Sequence, residues 1–172
     1  TKNGEDLQLL STCNINHGDI DQGFEQADVI VEGTYTTAHQ EHIYIETQGM
    51  IGTTHPDGTV DIVGSMQCPY YVHKALAYLF QTDEDNIRVR QVTTGGGFGG
   101  KEDFPDMLAA HCALLSKACG HPVKIIYDRH EDIVGTTKRH PAKISHRTGV
   151  KRDGTLVAMD IDVIFDGGAY VT

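Results

Sequence analysis

An α+β domain, built of mixed strands and hairpins with two main helices, is the fold class this sequence predicts. Three observations carry that prediction. Short runs of β-branched and aromatic residues read as strands, and Asp-Gly pairs sit where tight hairpins would turn. Two further segments place apolar residues at helical spacing. Hairpins of this kind fit an α+β domain better than a doubly wound parallel sheet.

Residues 1–17 carry little pattern and are expected to be a lead-in; residues 18–172 are expected to form the domain. Val29-Ile30-Val31-Glu32-Gly33-Thr34-Tyr35-Thr36-Thr37 reads as a strand, followed by a polar insert, Ala38 to His42. Ile43 to Thr47 and Met50 to Thr54 read as extended, and Pro56-Asp57-Gly58 turns the chain into a return strand, Thr59 to Gly64. Pro69 stands in a first helical turn, and Val72, Ala75, Leu76, Leu79 and Phe80 follow at helical spacing. Tyr70 and Tyr71, at the start of that helix, are expected to pack. From Asn86 to Val92, apolar residues alternate with Arg88 and Arg90, the mark of a half-exposed strand. Asp103 can cap and Pro105 can start a second helix through Met107, Leu108, His111, Leu114 and Leu115, with Gly120 as its stop. Val123 to Tyr127 is a further strand, and Arg129 to Asp132 a short turn. Lys143 to Lys151 and Leu156 to Phe165 form a long hairpin around Asp153-Gly154.

Composition narrows the function. With 172 residues the chain supports one domain with a real core, or two small ones. Its net charge of −10 argues against a nucleic-acid or anionic-membrane surface, either of which needs a basic face. No apolar run is long enough to span a bilayer. The four cysteines, Cys13, Cys68, Cys112 and Cys119, show no metal-site spacing, so a reduced, cytoplasmic setting is expected. Cys112 and Cys119, seven residues apart, are expected to share a buried helix face. The chain starts at Thr1 and stops at Thr172 without the look of natural ends, and is read as a segment of a longer polypeptide.

The most informative stretch is Thr93-Thr94-Gly95-Gly96-Gly97-Phe98-Gly99-Gly100-Lys101-Glu102. Glycine weakens regular structure, so such a run is read as backbone that takes positive φ or closely approaches a ligand, not as packing. Gly95-x-Gly97-x-x-Gly100 matches a dinucleotide fingerprint, with Asp128 as the acid at the end of the next strand. Against it, the preceding strand alternates with arginines where a Rossmann strand is apolar throughout, and Glu102 and Asp103 stand where a pyrophosphate would lie. Gly95-x-x-x-x-Gly100-Lys101 matches a phosphate-binding P-loop except at its last position, where Glu102 replaces the magnesium-binding hydroxyl. A glycine-rich turn without a ligand remains open as well. In His39-Gln40-Glu41-His42 the two histidines would face opposite ways on a strand, which disfavours a metal. Gln40 stands out there, because an amide offers both donor and acceptor.

Four segments in order resemble the molybdenum hydroxylase family, nearest to the molybdopterin-binding subunit of xanthine dehydrogenase. They are Gln40-Glu41-His42-x-Tyr44-x-Glu46-Thr47, the glycine run Gly95 to Glu102, Asp128-Arg129-x-Glu131-Asp132, and Arg139-His140-Pro141. The resemblance implies that residues 18–172 are the N-terminal part of the molybdopterin-binding domain of a larger subunit. By that resemblance Gln40 bonds to a molybdenum oxo ligand, with no residue of this chain ligating the metal. Gly97, Phe98 and Gly99 lie against the pterin, to which Phe98 and Gly99 give backbone N–H contacts, and Glu102 orients a purine. The implied activity is hydroxylation of xanthine or hypoxanthine at an electron-poor carbon, with water as oxygen source. The implied cofactor is molybdenum-molybdopterin, its cytosine dinucleotide form being one option, with iron–sulfur clusters and FAD on other domains or subunits. The general-base glutamate is expected beyond Thr172, so this segment alone is expected to be inactive. Related hydroxylases of aldehydes or other N-heterocycles, and a non-catalytic nucleotide-binding module, are the alternatives.

Overall fold

The structure, a computed structural model, describes residues 9–168, in two units: residues 9–40 with 140–168, and residues 41–139. The first eight residues of the expected lead-in lie outside the described range. Four helices and seven strands are found among the described residues: α1 (Ile20–Glu25), β1 (Val29–Thr37), β2 (Gly49–Thr54), β3 (Val60–Gly64), α2 (Pro69–Phe80), β4 (Ile87–Gln91), α3 (Pro105–Cys119), β5 (Val123–Ile126), α4 (Arg129–Gly135), β6 (Ala142–Val150) and β7 (Leu156–Phe165). The α+β class is the one expected. No helix among the described residues is long and apolar enough to cross a membrane.

The first unit is an antiparallel sheet in the order β1-β6-β7. Its β6–β7 turn uses Asp153-Gly154, with Gly154 at φ 90° and Asp153 accepting from the Thr155 N–H at 2.9 Å. Helix α1, which no pattern announced, starts where the Asp19 carboxylate accepts from the Gln22 N–H at 3.0 Å. It turns Phe24 inward, and the Arg147 guanidinium lies 4.0 Å from the centre of that ring.

The second unit holds a mixed sheet in the order β4-β3-β2-β5. β3 and β4 run parallel, joined through α2, while β2 is antiparallel to both β3 and β5. The β2–β3 turn repeats the Asp-Gly device: Gly58 sits at φ 90°, and Asp57 accepts from the Thr59 N–H and hydroxyl at 3.0 and 2.7 Å. β4 is an edge strand, so its arginines at 88 and 90 stay exposed while Ile87 is buried.

The core of this unit joins Met50, Val60, Ile62 and Ile87 of the sheet to Val72 and Leu76 of α2 and to Leu108, Ala109, Cys112 and Ala113 of α3. The buried face of α3 is therefore its small-residue face. Met107, Leu114 and Leu115, part of the expected apolar stripe, are exposed, and Cys119 is exposed rather than sharing the burial of Cys112. The reason is close approach: a Cβ at Gly52 would stand 2.7 Å from the Cys112 Cβ, leaving room for nothing larger. Thr54 completes the seam, its N–H donating to Ser116 Oγ at 2.9 Å and its hydroxyl to the Ala113 carbonyl at 2.8 Å.

Four further expectations are corrected. Ile43 to Thr47 is not a strand: Ile43 has φ 45°, and residues 41–48 are irregular. Arg129 to Asp132 is not a turn but the start of α4, where a reciprocal capping box joins Asp128 and Glu131 at 2.8 and 2.9 Å. Asp103 does not cap α3 through its side chain; its carbonyl accepts from the Asp106 N–H at 3.1 Å, and Phe104 is the cap residue. Tyr70 and Tyr71 do not pack but are exposed. Pro105 and Gly120 do start and stop α3 as expected.

Gly52→Ala is expected to destabilise the protein by about 1–3 kcal/mol, the usual cost of overpacking a close contact. Urea denaturation measures it. An unchanged midpoint would mean that α3 is not seated on β2 as described.

Candidate functional site

The glycine run leaves edge strand β4 and enters α3, and it is held from beneath by side chains of its own unit. Lys101 is fully buried, a position a lysine occupies only when paired. Its Nζ lies 2.7 Å from Glu46 Oε2 and 3.1 Å from Ser65 Oγ, and 4.7 Å from the centre of the Tyr44 ring. The same Glu46 oxygen accepts from the Gly95 N–H at 2.8 Å and from the Ser65 hydroxyl at 2.6 Å. Burial works to raise the Glu46 pKa. Lys101, Ser65 and the Gly95 N–H outweigh it and hold the carboxyl down at about 2.

A second anchor comes from the β3–α2 connection. Gln67 Oε1 accepts from both the Gly99 N–H at 3.0 Å and the Lys101 N–H at 3.2 Å. The Gln67 N–H donates in turn to the Lys101 carbonyl at 2.7 Å. A third is Gln48, whose amide donates to the Gly100 carbonyl at 2.8 Å and to the Tyr44 hydroxyl at 3.0 Å. The Gln48 N–H donates to Asp132 Oδ2 at 2.7 Å, so the start of α4 supports the loop through Gln48. Burial first, and then the neighbouring Asp132 carboxylate, raise the Tyr44 phenol above its ordinary pKa, so it stays neutral.

Residues 41–48 supply most of this support without a strand ladder. Side chains satisfy the backbone instead: Arg129 Nη2 donates to the carbonyls of Tyr44 and Ile45 at 2.6 and 2.9 Å. The Thr47 hydroxyl donates to the Tyr127 carbonyl at 2.7 Å. Glu41 pairs with Lys138 at 2.7 Å. The His42 ring lies against Gly99 and Gly100, and its buried Nδ1 has no partner among the described residues.

These contacts revise the reading of the glycines as unrelated to packing. A Cβ at Gly95 would stand 2.5 Å from Glu46, one at Gly97 would collide with Gln67, and one at Gly100 would stand 2.6 Å from Tyr44. Three of the glycines therefore admit the anchors, and the crest is what remains for a ligand. There Gly96, Phe98 and Gly99 have φ of 98°, 53° and 95°. Phe98 is 76% exposed on backbone that favours glycine, a strain of order 1–3 kcal/mol. The N–H groups of Gly96, Gly97 and Phe98 make no hydrogen bond to any described residue. The Gly99 N–H, expected to face the pterin together with that of Phe98, is committed to Gln67.

Uncommitted N–H groups on backbone of alternating φ form a cradle for anionic or acceptor-rich groups. With an aromatic beside them, they fit a flat, oxygen-bearing heterocycle such as molybdopterin. Glu102, just past the crest, is exposed and makes no hydrogen bond among the described residues. Burial, with the Glu102 and Asp103 carboxylates, raises the pKa of the Cys68 thiol, which places both acids within electrostatic reach of it. Gly97, Phe98, Gly99 and Glu102 thus share the second unit, whereas Gln40 is an exposed residue of the first. Sequence reasoning missed Gln67, Ser65 and Lys101 as anchors. A lysine wedged between Gly100 and Glu102 was the only hint of a buried cation, and no pattern marks Gln67.

Glu46→Gln leaves the Lys101 charge buried without its partner, which is expected to destabilise the unit by about 1–3 kcal/mol, less than for a fully buried pair because the Glu46 side chain is partly exposed. A depressed carboxyl stabilises above its ordinary value of 4.5 and loses that contribution as pH falls towards 2. The gap between wild type and variant should therefore be widest above pH 4.5 and close towards pH 2. Denaturation midpoints across that range measure it, and a gap independent of pH would contradict the ion-pair account.

Comparison with known proteins shows the family of the chain. The profile of the molybdopterin cofactor-binding domain matches residues 4–172. The chain is 35% identical over 167 residues to the nicotinate dehydrogenase large molybdopterin subunit of Eubacterium barkeri, covering 97% of this chain and 39% of that protein. It is 34% identical over 165 residues to the xanthine dehydrogenase molybdenum-binding subunit of Escherichia coli O157:H7, covering 95% of this chain and 22% of that one. The chain therefore spans well under half of the curated relatives it matches. Among solved structures, quinoline 2-oxidoreductase from Pseudomonas putida 86 superposes with a TM-score of 0.69 at 26% identity, over 88% of this chain and 19% of that one. The aldehyde oxidoreductase from Desulfovibrio gigas superposes with a TM-score of 0.67 at 28% identity, over 87% and 16%. With nearly its whole length matched by one domain profile, the chain belongs to the molybdopterin cofactor-binding domain family.

Proposed function

We propose that this chain forms part of the pterin-holding wall of a xanthine dehydrogenase-like molybdenum hydroxylase acting on purines. The observation that carries the reading is the crest of the glycine run, where uncommitted N–H groups adjoin an exposed aromatic and, just beyond, a free carboxylate. When bound, the cofactor would supply the two-electron oxidation that adds a water-derived oxygen to an electron-poor carbon. Gly96, Gly97 and Phe98 would donate to the pterin or its phosphate, and the Phe98 ring would cover its apolar side. Gln40 would donate to the molybdenum oxo ligand. Glu102 would accept from a ring N–H of the purine, an interaction that orients the heterocycle and favours it over a substrate with no N–H to give. Iron–sulfur and FAD domains or subunits, and the remainder of the molybdenum subunit, would carry the electrons away and complete the pocket.

The test is urate formation from xanthine by the complete enzyme with its partner subunits. Glu102→Ala is expected to lower kcat/KM for xanthine roughly 10- to 100-fold, the loss of one hydrogen bond to a charged group. Molybdenum content should stay at the wild-type level. A metal-loaded wild-type enzyme that ignores purines would overturn the substrate class, and loss of molybdenum from the variant would give Glu102 a structural role instead.

A further inference from the structure

The geometry points to Gln67 as a further direct binding residue for the group seated on the glycine crest, its side-chain amide donating to an acceptor atom of that group. The inference rests on the cofactor reading above and adds to it a residue outside every motif by which the chain was recognised.

The two ends of the Gln67 amide are not interchangeable. The Gly99 and Lys101 N–H groups both converge on one atom of it, at 3.0 and 3.2 Å. Both are donors, so the atom receiving them is the carbonyl oxygen, and the amide nitrogen is the other end by elimination. That nitrogen has two hydrogens to give and makes no hydrogen bond to any described residue. The side chain is exposed, so the uncommitted donor is open to a ligand rather than closed into the core.

Its position is equally constrained. The side chain lies flat against Gly97, where a Cβ would come 2.7 Å from the amide carbon and 3.0 Å from Cγ. The Gln67 N–H bond to the Lys101 carbonyl, 2.7 Å, fixes the main chain at the same point. The amide therefore has little freedom to swing away, and its free end, one bond from the amide carbon, stays beside Gly97 of the crest. An acceptor-rich group cradled by that backbone meets one further oriented donor there. A residue needed only to anchor the loop would have to accept the two N–H bonds and nothing more; glutamine does that and keeps a donor in reserve.

The variants Gln67→Glu and Gln67→Ala separate anchoring from binding. A glutamate still accepts both N–H bonds but turns an anionic oxygen where the amide hydrogens were, whereas alanine loses both functions. The complete enzyme is purified in each form. Limited proteolysis across residues 92–104 reads the anchoring, and release of the pterin in mild denaturant, followed by its fluorescence after oxidation, reads the binding. In the Gln67→Glu enzyme, proteolysis is expected at the wild-type rate and pterin release at least ten times faster. The Gln67→Ala enzyme should be cut faster and also release faster. Wild-type release from Gln67→Glu would overturn the proposal, leaving Gln67 as an anchor only. Rapid cleavage of Gln67→Glu would overturn it too, because the assignment of the carbonyl oxygen to the two N–H groups would then fail. Wild-type enzyme without any pterin would instead overturn the cofactor reading itself, and this proposal with it.

Discussion

Lys101 carries a full positive charge with no access to solvent, and the arrangement around the glycine run follows from how that charge is met. A buried cation without a partner costs several kcal/mol, so Glu46 and Ser65 must converge on one point. Meeting it there draws residues 41–48 beneath the loop and brings Gly95 onto the same carboxylate. Because Lys101 turns inward, its neighbours Gly100 and Glu102 are placed by it, one against Tyr44 and the other towards solvent. Breaking the pair strands a buried charge, but the pair does more than stabilise. Its value is in specifying one conformation for a backbone that would otherwise have many.

The glycines take their meaning from that anchoring. Gly95, Gly97 and Gly100 lie where side chains of the same unit come closer than any Cβ allows, and Gly96 and Gly99 supply positive φ. Glycine-rich runs are commonly read as a cradle pressed against a ligand. Here the close approach is shared: the underside of the loop meets Glu46, Gln67 and Tyr44, and only the crest is left for a bound group. Phe98 marks the division, an aromatic held outward on left-handed backbone because the residues on either side of it are tied down.

Much of the fold was legible because local chemistry and tertiary demand agree. Asp57-Gly58 and Asp153-Gly154 turn hairpins wherever they occur, Pro105 and Gly120 bound α3, and the alternation at Arg88 and Arg90 belongs to an edge strand. Legibility failed where distant partners override local preference. Ile43 to Thr47 has strand-forming residues, yet Arg129, Tyr127 and Lys101 take up its backbone and side chains from far along the chain. The buried face of α3 was misjudged because hydrophobic size was read, whereas the close seam with Gly52 selects for smallness. Of the site, the crest and Glu102 were visible as a motif. The support was not, since Gln67 and Ser65 are ordinary polar residues until the fold brings the loop to them.

The pairing of β1 with β6 bears on the order in which the chain can organise itself. Val29 faces Val150 and Thr37 faces Ala142, so the whole of residues 41–139 is interposed between two strands that must lie side by side. Closing so long a loop is entropically unfavourable and slow, whereas β2–β3 and β3–α2–β4 close over short separations. The interposed unit, with its buried lysine and anchored glycines, can therefore assemble while β1 is still unpaired. On the ribosome β1 emerges ahead of the strands β2 to β7, and it is among the last of them to find a partner.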